Sequence, residues 1–227
     1  MLVLGVETST MHGGVALVGA EGLISEHTLN VRATHTERLL PAIDRMLHDA
    51  GLGLNALSGL AVSTGPGSFT GLRIGLSTVK GLAYATDLPV VGVPSLEALA
   101  WTLPYTAWQV CPVLDARKGE VYLSLYRWKG GRMERQWDYA ALSPRSAGER
   151  LEPPVIMLGD GVSACLPFLS HLGSGLRVAP PSHAAPSAAV VGLLGHAMLA
   201  SGDTVAAESV EPLYLRPSEA ELKARRS

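Results

Sequence analysis

Charged side chains and cysteines are both scarce in this chain. Of its 227 residues only 17% are Asp, Glu, Lys or Arg, and the formal net charge is −2. So small a net charge predicts no strong electrostatic field toward nucleic acids or membranes from the chain alone. The only cysteines are Cys111 and Cys165, without a CxxC pair. This predicts buried thiols in a reducing, cytoplasmic setting.

Long apolar runs are missing as well. The first run, residues 2–6, is too short for the core of a signal peptide, and no basic residue precedes it. The longest later run, Ala188–Ala200, contains His196 and falls short of the roughly 20 residues that a membrane span requires. We therefore expect no membrane association. The 47% of hydrophobic residues leave enough for a large core and an apolar interface.

The most distinctive segment, GPGSFTGLRIG at residues 65–75, lacks the lysine of a common phosphate-binding loop. Glycines let backbone N–H groups converge on an anion, and a following helix N-terminus attracts negative charge. Neither the Gly-Lys-Ser/Thr ending nor a GxGxxG pattern is present, which excludes the two commonest nucleotide motifs. Gly65, Gly67 and Ser68 therefore stay weak cofactor-binding candidates, and a purely structural turn is the alternative.

The segment after this loop predicts an unusually small-sided helix over residues 71–86. Gly71, Gly75 and Gly81 lie in it, and each interior glycine costs about 1 kcal/mol relative to alanine. Such a helix indicates close helix–helix contact, either inside the domain or across a subunit boundary.

The first half of the chain predicts the element order βββαβαβα. Three short-spaced strands indicate an antiparallel meander, and a capping box from Thr34 to Glu37 opens the first helix. The predicted elements are strands 2–8, 13–19 and 23–29, helix 34–50, strand 57–62, helix 71–86, strand 89–93 and helix 95–103. This order is typical of the ribonuclease-H-like, or actin/hexokinase-type, α/β domain. We assign it to residues 1–104.

A second, smaller α/β domain is predicted over residues 105–210. Its expected elements are strand 110–114, an alternating strand 120–128, a returning strand 133–139, strand 155–158 and helices 162–170 and 187–200. Asp115, Arg117 and Glu120 surround one turn, where local ion pairing is the favoured interpretation over an acid/base set. Residues 211–227 are a tail, extended at first and basic at Lys223, Arg225 and Arg226.

Six motifs distributed along the whole chain carry a family resemblance. They are GVETST, HTERLLPAI, GPGSFTGLRIG, LPVVGV, DARKGEVY and EPLYLR, in this order. Together they resemble the TsaB (YeaZ) family, a partner subunit in bacterial tRNA threonylcarbamoyladenosine synthesis. The resemblance implies a two-domain actin/hexokinase-like fold. It also implies pairing with the transferase subunit TsaD, an ATPase subunit TsaE as third partner, tRNA as substrate of the complex, and a homodimer when the chain is alone.

The resemblance also argues against catalysis by this chain. The paralogous transferase carries an HMExH-type metal pair, whereas the corresponding segment here has Ser95 and Leu99 in place of both histidines. A Ser/Leu pair cannot chelate a divalent metal as two imidazoles do. We therefore expect no metal and no catalytic residue in this chain, and place ATP and metal on the partner subunits.

Glu7 leaves one alternative open. It lies where actin-type ATPases and sugar kinases place an aspartate near the metal–phosphate, so an active ATPase or phosphotransferase is the second hypothesis. The favoured interpretation is a glutamate that hydrogen-bonds the turn at Thr8 and Ser9. A metalloprotease-like hydrolase would need paired metal ligands, which the sequence does not offer.

The expected partner interface lies on the first two helices. Its predicted residues are His35, Leu39, Leu40, Ile43, Gly71, Arg73, Gly75 and Thr78. On this hypothesis Gly75→Leu or Leu39→Glu abolishes partner binding and leaves the fold intact.

Overall fold

Residues 1–30 and 35–216 are described by the computed structural model, with their side chains except those of residues 29–30 and 35–37. The predicted capping box at Thr34, the side chain of His35 and the basic tail at 223–226 lie outside the described residues. No helix of the described segments is long and apolar enough to cross a membrane.

The first sheet has five strands in the order β3-β2-β1-β4-β5. Strands β1 (Val3–Glu7), β2 (His12–Gly19) and β3 (Gly22–Asn30) form an antiparallel meander. Strands β4 (Gly59–Gly65) and β5 (Val90–Pro94) continue the sheet parallel to β1. The predicted meander and strand order are confirmed.

Three helices follow the order predicted for the first half of the chain. They are α1 (His35–Asp49), α2 (Phe69–Thr86) and α3 (Ser95–Ala100). Alternate side chains of β1 separate the two faces of the sheet, because Leu4 and Val6 pack with α1 and α2 while Val3 joins the opposite core. Helix α3 is shorter than predicted. Its end tightens into turns in which the N–H groups of residues 102 and 103 bond three residues back.

The second sheet repeats the topology of the first. Its strands are β6 (Gln109–Arg117), β7 (Glu120–Leu123), β8 (Tyr126–Lys129), β9 (Arg132–Arg135), β10 (Ala140–Leu142), β11 (Val155–Leu158) and β12 (Leu176–Val178). The main order is β10-β7-β6-β11-β12, with β6 antiparallel to β7 and parallel to β11. The parallel and antiparallel pairings therefore match those of β3-β2-β1-β4-β5, as expected of a duplicated actin/hexokinase-like α/β fold.

The strand predicted over residues 120–128 is interrupted. Ser124 donates to the carbonyl oxygen of Trp137 at 2.7 Å, and the carbonyl of Leu125 accepts from the N–H of Gln136 at 2.7 Å, so the chain leaves β7 before β8 begins. Val121 and Tyr122 are both buried, although they point to opposite faces. The alternation in sequence therefore reflects a strand covered on both sides.

Short helices cover one face of the second sheet. These are α4 (Pro144–Arg150) and α5 (Val162–Cys165), followed by a 3₁₀ turn at Leu166–Phe168. The predicted helix 162–170 ends early because Pro167 has no N–H to continue the hydrogen-bond ladder. The other face packs against Leu96 and Leu99 of α3.

The last helix, α6 (Ala188–Ala200), returns to the first sheet. Gly5 and Gly192 allow this close approach, since a Cβ on Gly5 would lie 2.8 Å from the Gly192 Cα. We call the first sheet with α1, α2 and α6 the first lobe, and the second sheet with α4 and α5 the second lobe. The unit proposed over 105–210 thus contributes its last helix to the first lobe.

Candidate functional site

A cleft of about 230 Å³ lies where the two lobes meet. Its first-lobe wall contains the turn after β1 and the N-terminus of α2, including Ser9 and Ser68. Its second-lobe wall contains the β6–β7 turn and Asp160, and Arg216 also lines it. The glycine-rich segment and the cluster predicted at Asp115 therefore face one space, which we call the interlobe cleft.

Glu7 is the last residue of β1, and its side chain does not line this cleft. The residue is 1% exposed, and its Oε1 accepts a hydrogen bond from the backbone N–H of Ser9. Its Oε2 is buried and has no hydrogen-bond partner among the described residues, as is also true of Thr8 Oγ1 and Ser9 Oγ. Burial raises the pKa of the Glu7 carboxyl to about 7, although the hydrogen bond from the Ser9 N–H acts in the opposite direction.

The glycine-rich loop and α2 close over this turn. A Cβ on Gly67 would overlap the carbonyl oxygen of Ser9, one on Gly71 that of Thr8, and one on Gly75 the Thr8 hydroxyl. The small side of α2 therefore accommodates the end of β1. This corrects the predicted helix–helix contact for Gly71 and Gly75, because the backbone that approaches these glycines belongs to a strand end of the same lobe.

The remaining loop candidates also have structural partners. The Ser68 side chain caps α2 by accepting from the Gly71 N–H at 3.2 Å, and the Ser68 N–H donates to the carbonyl of Ser9 at 2.7 Å. Gly65 has φ 108°, and the carbonyl oxygen of Leu213 lies 3.0 Å from where its Cβ would be. Glu7, Gly65, Gly67 and Ser68 thus gather around the end of β1. A metal–nucleotide with Glu7 as ligand does not fit this arrangement, because the carboxyl group is sealed from the cleft.

The positions that correspond to the metal-binding histidines of the paralogous transferase are occupied by Ser95 and Leu99. Ser95 is fully buried and its hydroxyl accepts from the Gly65 N–H at 3.1 Å, while Leu99 belongs to the core beside the second sheet. Burial raises the pKa of Glu97, the acid between them. Within residues 1–30 and 35–216 no group of three or more His, Cys, Asp or Glu side chains could hold a metal ion.

The β6–β7 turn is a network of paired charges. Arg117 lies 3.2 Å from Asp115, and Arg216 lies 2.8 Å from Glu120. Asp160 accepts from the backbone N–H of Asp115 at 2.9 Å, and its pKa is raised mainly by burial. The sequence predicted local pairing but not the contributions of Asp160 and Arg216. The only signal for Arg216 was its position in the EPLYLR motif.

The predicted interface residues divide between core and surface. Leu39 is 5% exposed and Ile43 is 3% exposed, so both lie in the core of the first lobe with the buried Gly71 and Gly75. Leu40, by contrast, is 53% exposed. Of the other two predicted residues with described side chains, Arg73 is exposed and Thr78 is half-buried.

The outward side of α2 has features that sequence reasoning missed. Ser77, Gly81 and Ala85 are all exposed, one helical turn apart. In the described part of the chain, no atom outside Gly81's own helix lies within 4 Å of where a Cβ on Gly81 would be. Tyr84 next to this row is 95% exposed. Helical spacing in the sequence is enough to show that these residues are neighbours, but only the tertiary structure shows that they are exposed. We call Leu40, Arg73, Ser77, Thr78, Gly81, Tyr84 and Ala85 the outer face of α1 and α2.

Comparisons with known proteins agree with these motifs and this fold. A protein-family model for TsaD, tRNA N6-adenosine threonylcarbamoyltransferase, matches residues 23–162. The tRNA threonylcarbamoyladenosine biosynthesis protein TsaB of Bacillus subtilis is 31% identical, over 98% of this chain and 97% of its own length. The protein of the same name from Escherichia coli is 35% identical, over 95% of both chains.

Solved structures give the same relationship. A crystal structure from Pseudomonas aeruginosa, described as an uncharacterized protein with similarity to peptidase YeaZ, matches with a TM-score of 0.82 and 30% identity. The match covers 95% of this chain and 99% of that one. With near-complete coverage by relatives in both sequence and structure, the chain belongs to the TsaB (YeaZ) family.

Proposed function

We propose that this chain is a noncatalytic scaffold subunit of the machinery that forms threonylcarbamoyladenosine at position 37 of tRNA. On this proposal it docks through the outer face of α1 and α2 onto a metal-bearing TsaD-type transferase subunit. A TsaE-type ATPase subunit is the third partner, and tRNA is reached through the complex. ATP and metal reside on the partners, and the complex works in the cytoplasm, where the unpaired Cys111 and Cys165 stay reduced.

The observation that carries the proposal is Gly81. An exposed glycine inside a helix costs about 1 kcal/mol relative to alanine, and no described atom beyond its own helix lies close enough to require it. The close contacts that explain Gly71 and Gly75 are therefore absent at Gly81 among the described residues. A partner helix that approaches the row of Ser77, Gly81 and Ala85 supplies a reason for the small side chain.

Exposed apolar side chains on both helices support the same surface. Tyr84 and Leu40 are 95% and 53% exposed, and aromatic side chains are typical anchors of protein interfaces. In the absence of the transferase, a second copy of this chain is the expected occupant.

The buried state of Glu7 supports the noncatalytic part of the proposal. An ATPase or phosphotransferase of the sugar-kinase type would need a carboxylate in contact with the metal–phosphate. Glu7 is instead 1% exposed, and Gly67 and Gly71 pack against the two residues that follow it. The turn that follows it thus serves the packing of α2 on β1.

The test is reconstitution with purified components. The chain is combined with the transferase subunit, the ATPase subunit, threonylcarbamoyl-adenylate and tRNA, and modified adenosine is quantified with and without the chain. We expect product to require the chain and to persist with Glu7→Gln. Loss of turnover in Glu7→Gln while the complex still assembles would show a chemical role. Mg²⁺-dependent nucleotide binding by the isolated wild-type chain, lost in the same variant, would favour the ATPase alternative.

A further inference from the structure

The segment at residues 211–216 contacts both lobes although it forms neither helix nor strand. On the first lobe, the Tyr214 ring stacks on Phe69 with centroids 4.4 Å apart and an interplanar angle of 18°. Arg73 Nε donates to the Tyr214 hydroxyl at 3.0 Å, and the Leu213 N–H donates to the carbonyl of Thr64 at 2.7 Å. This part of the segment is therefore fixed to β4 and to the first turns of α2.

Two residues further on, the same segment is bound to the second lobe. Arg216 Nη1 lies 2.8 Å from Glu120 Oε2 and donates to the carbonyl oxygens of Ala116 at 3.0 Å and Arg117 at 3.3 Å. These acceptors belong to the end of β6 and the first residue of β7. The Arg216 side chain is only 21% exposed, which strengthens a charge-assisted hydrogen bond relative to one in full solvent.

The two anchors sit on opposite walls of the interlobe cleft. Phe69 lines the first-lobe wall, Arg117 lines the second-lobe wall, and Arg216 itself lines the cleft. Between the anchors, Leu215 packs into the apolar cluster that contains Leu99 of α3 and Leu114 of β6. The segment therefore contacts the first lobe, the apolar cluster between the anchors and the second lobe in turn.

We propose that residues 211–216 form a clasp that holds the two walls of the interlobe cleft together. Tyr214 is the first-lobe anchor and Arg216 is the second-lobe anchor. Few covalent crossings connect duplicated lobes of this kind, so their relative motion is free unless contacts restrain it. The clasp restrains it at the cleft. Because Arg73 lies on the outer face of α1 and α2, the clasp also links that face to the β6–β7 turn.

The proposal goes beyond the proposed complex and is tested on the isolated full-length chain. Spin labels are attached at Glu21→Cys and Glu152→Cys, one exposed position in each lobe. Pulsed electron paramagnetic resonance then measures the distance between the two labels, and so between the lobes. The native Cys111 and Cys165 are buried. Labelled protein is diluted into excess unlabelled chain, so that only distances within one molecule are measured.

Two clasp variants are compared with two matched controls. Tyr214→Ala removes the ring stack and the acceptor of Arg73, and Arg216→Ala removes the second-lobe anchor. Tyr105→Ala and Arg127→Ala are controls, since both residues are exposed and have no contact with the clasp; Tyr105 contacts Trp128 within the second lobe. Circular dichroism establishes that each variant is folded, and Arg216→Ala tests the proposal if Tyr214→Ala is not.

The expected result is a broader distance distribution, shifted to longer distances, in both clasp variants and in neither control. A distribution that matches the wild type in the folded clasp variants would overturn the proposal. An equal change in Tyr105→Ala or Arg127→Ala would also overturn it, because the effect would then not depend on the clasp.

Discussion

Gly75 of α2 lies directly against Thr8 at the end of β1, so closely that a Cβ at residue 75 would overlap the Thr8 hydroxyl. The contact joins a helix of the first lobe to its central strand. Thr8 is fully buried, so neither partner can move toward solvent without disturbing the sheet. The size of residue 75 therefore controls the stability of the first lobe rather than the shape of its outer surface.

Gly75→Ala is expected to destabilise the chain by about 1–3 kcal/mol, the usual cost of an overpacked core. The matched control is Gly81→Ala on the same helix, where open space surrounds the added methyl group. That control should gain up to about 1 kcal/mol from helix propensity. Urea unfolding of both variants measures the difference. Equal stabilities would contradict the close contact between Gly75 and Thr8.

A second prediction separates two neighbouring leucines of α1. Leu39 is 5% exposed and packs in the first-lobe core, whereas Leu40 is 53% exposed. Leu39→Ala should cost about 2–5 kcal/mol because it leaves a cavity. Leu40→Ala should stay within about 0.5 kcal/mol of the wild type, as most surface changes do. Thermal or urea unfolding gives both values, and similar losses in the two variants would disprove the assigned orientation of α1.

The same burial changes which variants can test the partner surface. Leu39→Glu and Gly75→Leu, which the sequence suggested as tests, place a charge or a large side chain in the core, so they would lose the fold together with the partner. Leu40→Glu on the outer face avoids this. We expect it to weaken binding to the transferase subunit at least tenfold and to keep the unfolding midpoint. Leu166→Glu is the matched control, since Leu166 is a 47% exposed leucine of the second lobe. Calorimetry measures the affinity of each variant for the transferase subunit. An equal loss of affinity in both variants would contradict the assignment of the outer face as the binding surface.

The first lobe was predictable because its signals are local. Strands of period two, a helix of period 3.6 and a glycine-rich turn follow one another from residue 2 to residue 100, and these local patterns indicate the order of the elements. The second lobe was less so. Val121, Tyr122 and their neighbours are buried on both faces, so alternation in sequence no longer indicates which side faces solvent. The duplication of the sheet order is a tertiary property that the chain's periodicities do not contain.

The candidate site shows the same division. The motifs located the end of β1, the glycine-rich loop and the β6–β7 turn, because glycine, serine and acidic residues at turns have specific local roles. Whether the Glu7 carboxyl points into the cleft or into the lobe depends on how α2 packs, and composition cannot show that. Arg216 and Glu120 are paired although they lie 96 residues apart in the sequence, so no local pattern predicts the clasp.

Glu7 makes a pH-dependent contribution to stability with an unusual sign. Burial raises the folded-state pKa of its carboxyl from 4.5 to about 7, so the folded chain holds a proton that the unfolded chain releases. The resulting stabilisation is complete below the unfolded pKa of 4.5 and is lost as the pH rises through about 7. The free energy of unfolding should fall by about 3 kcal/mol over this range from Glu7 alone.

Glu7→Gln removes this titration and keeps the size of the side chain. Its amide occupies the buried position of Oε2, and any constant cost of that burial cancels when the pH dependence of the two proteins is compared. Urea unfolding from about pH 5 to about pH 8 should give a wild-type stability that declines relative to the variant by about 3 kcal/mol. Other titrating groups contribute equally to both proteins. Two parallel stability curves would mean that the Glu7 carboxyl is ionised in the folded chain throughout this range, and that it reaches a counter-charge or solvent from beneath α2.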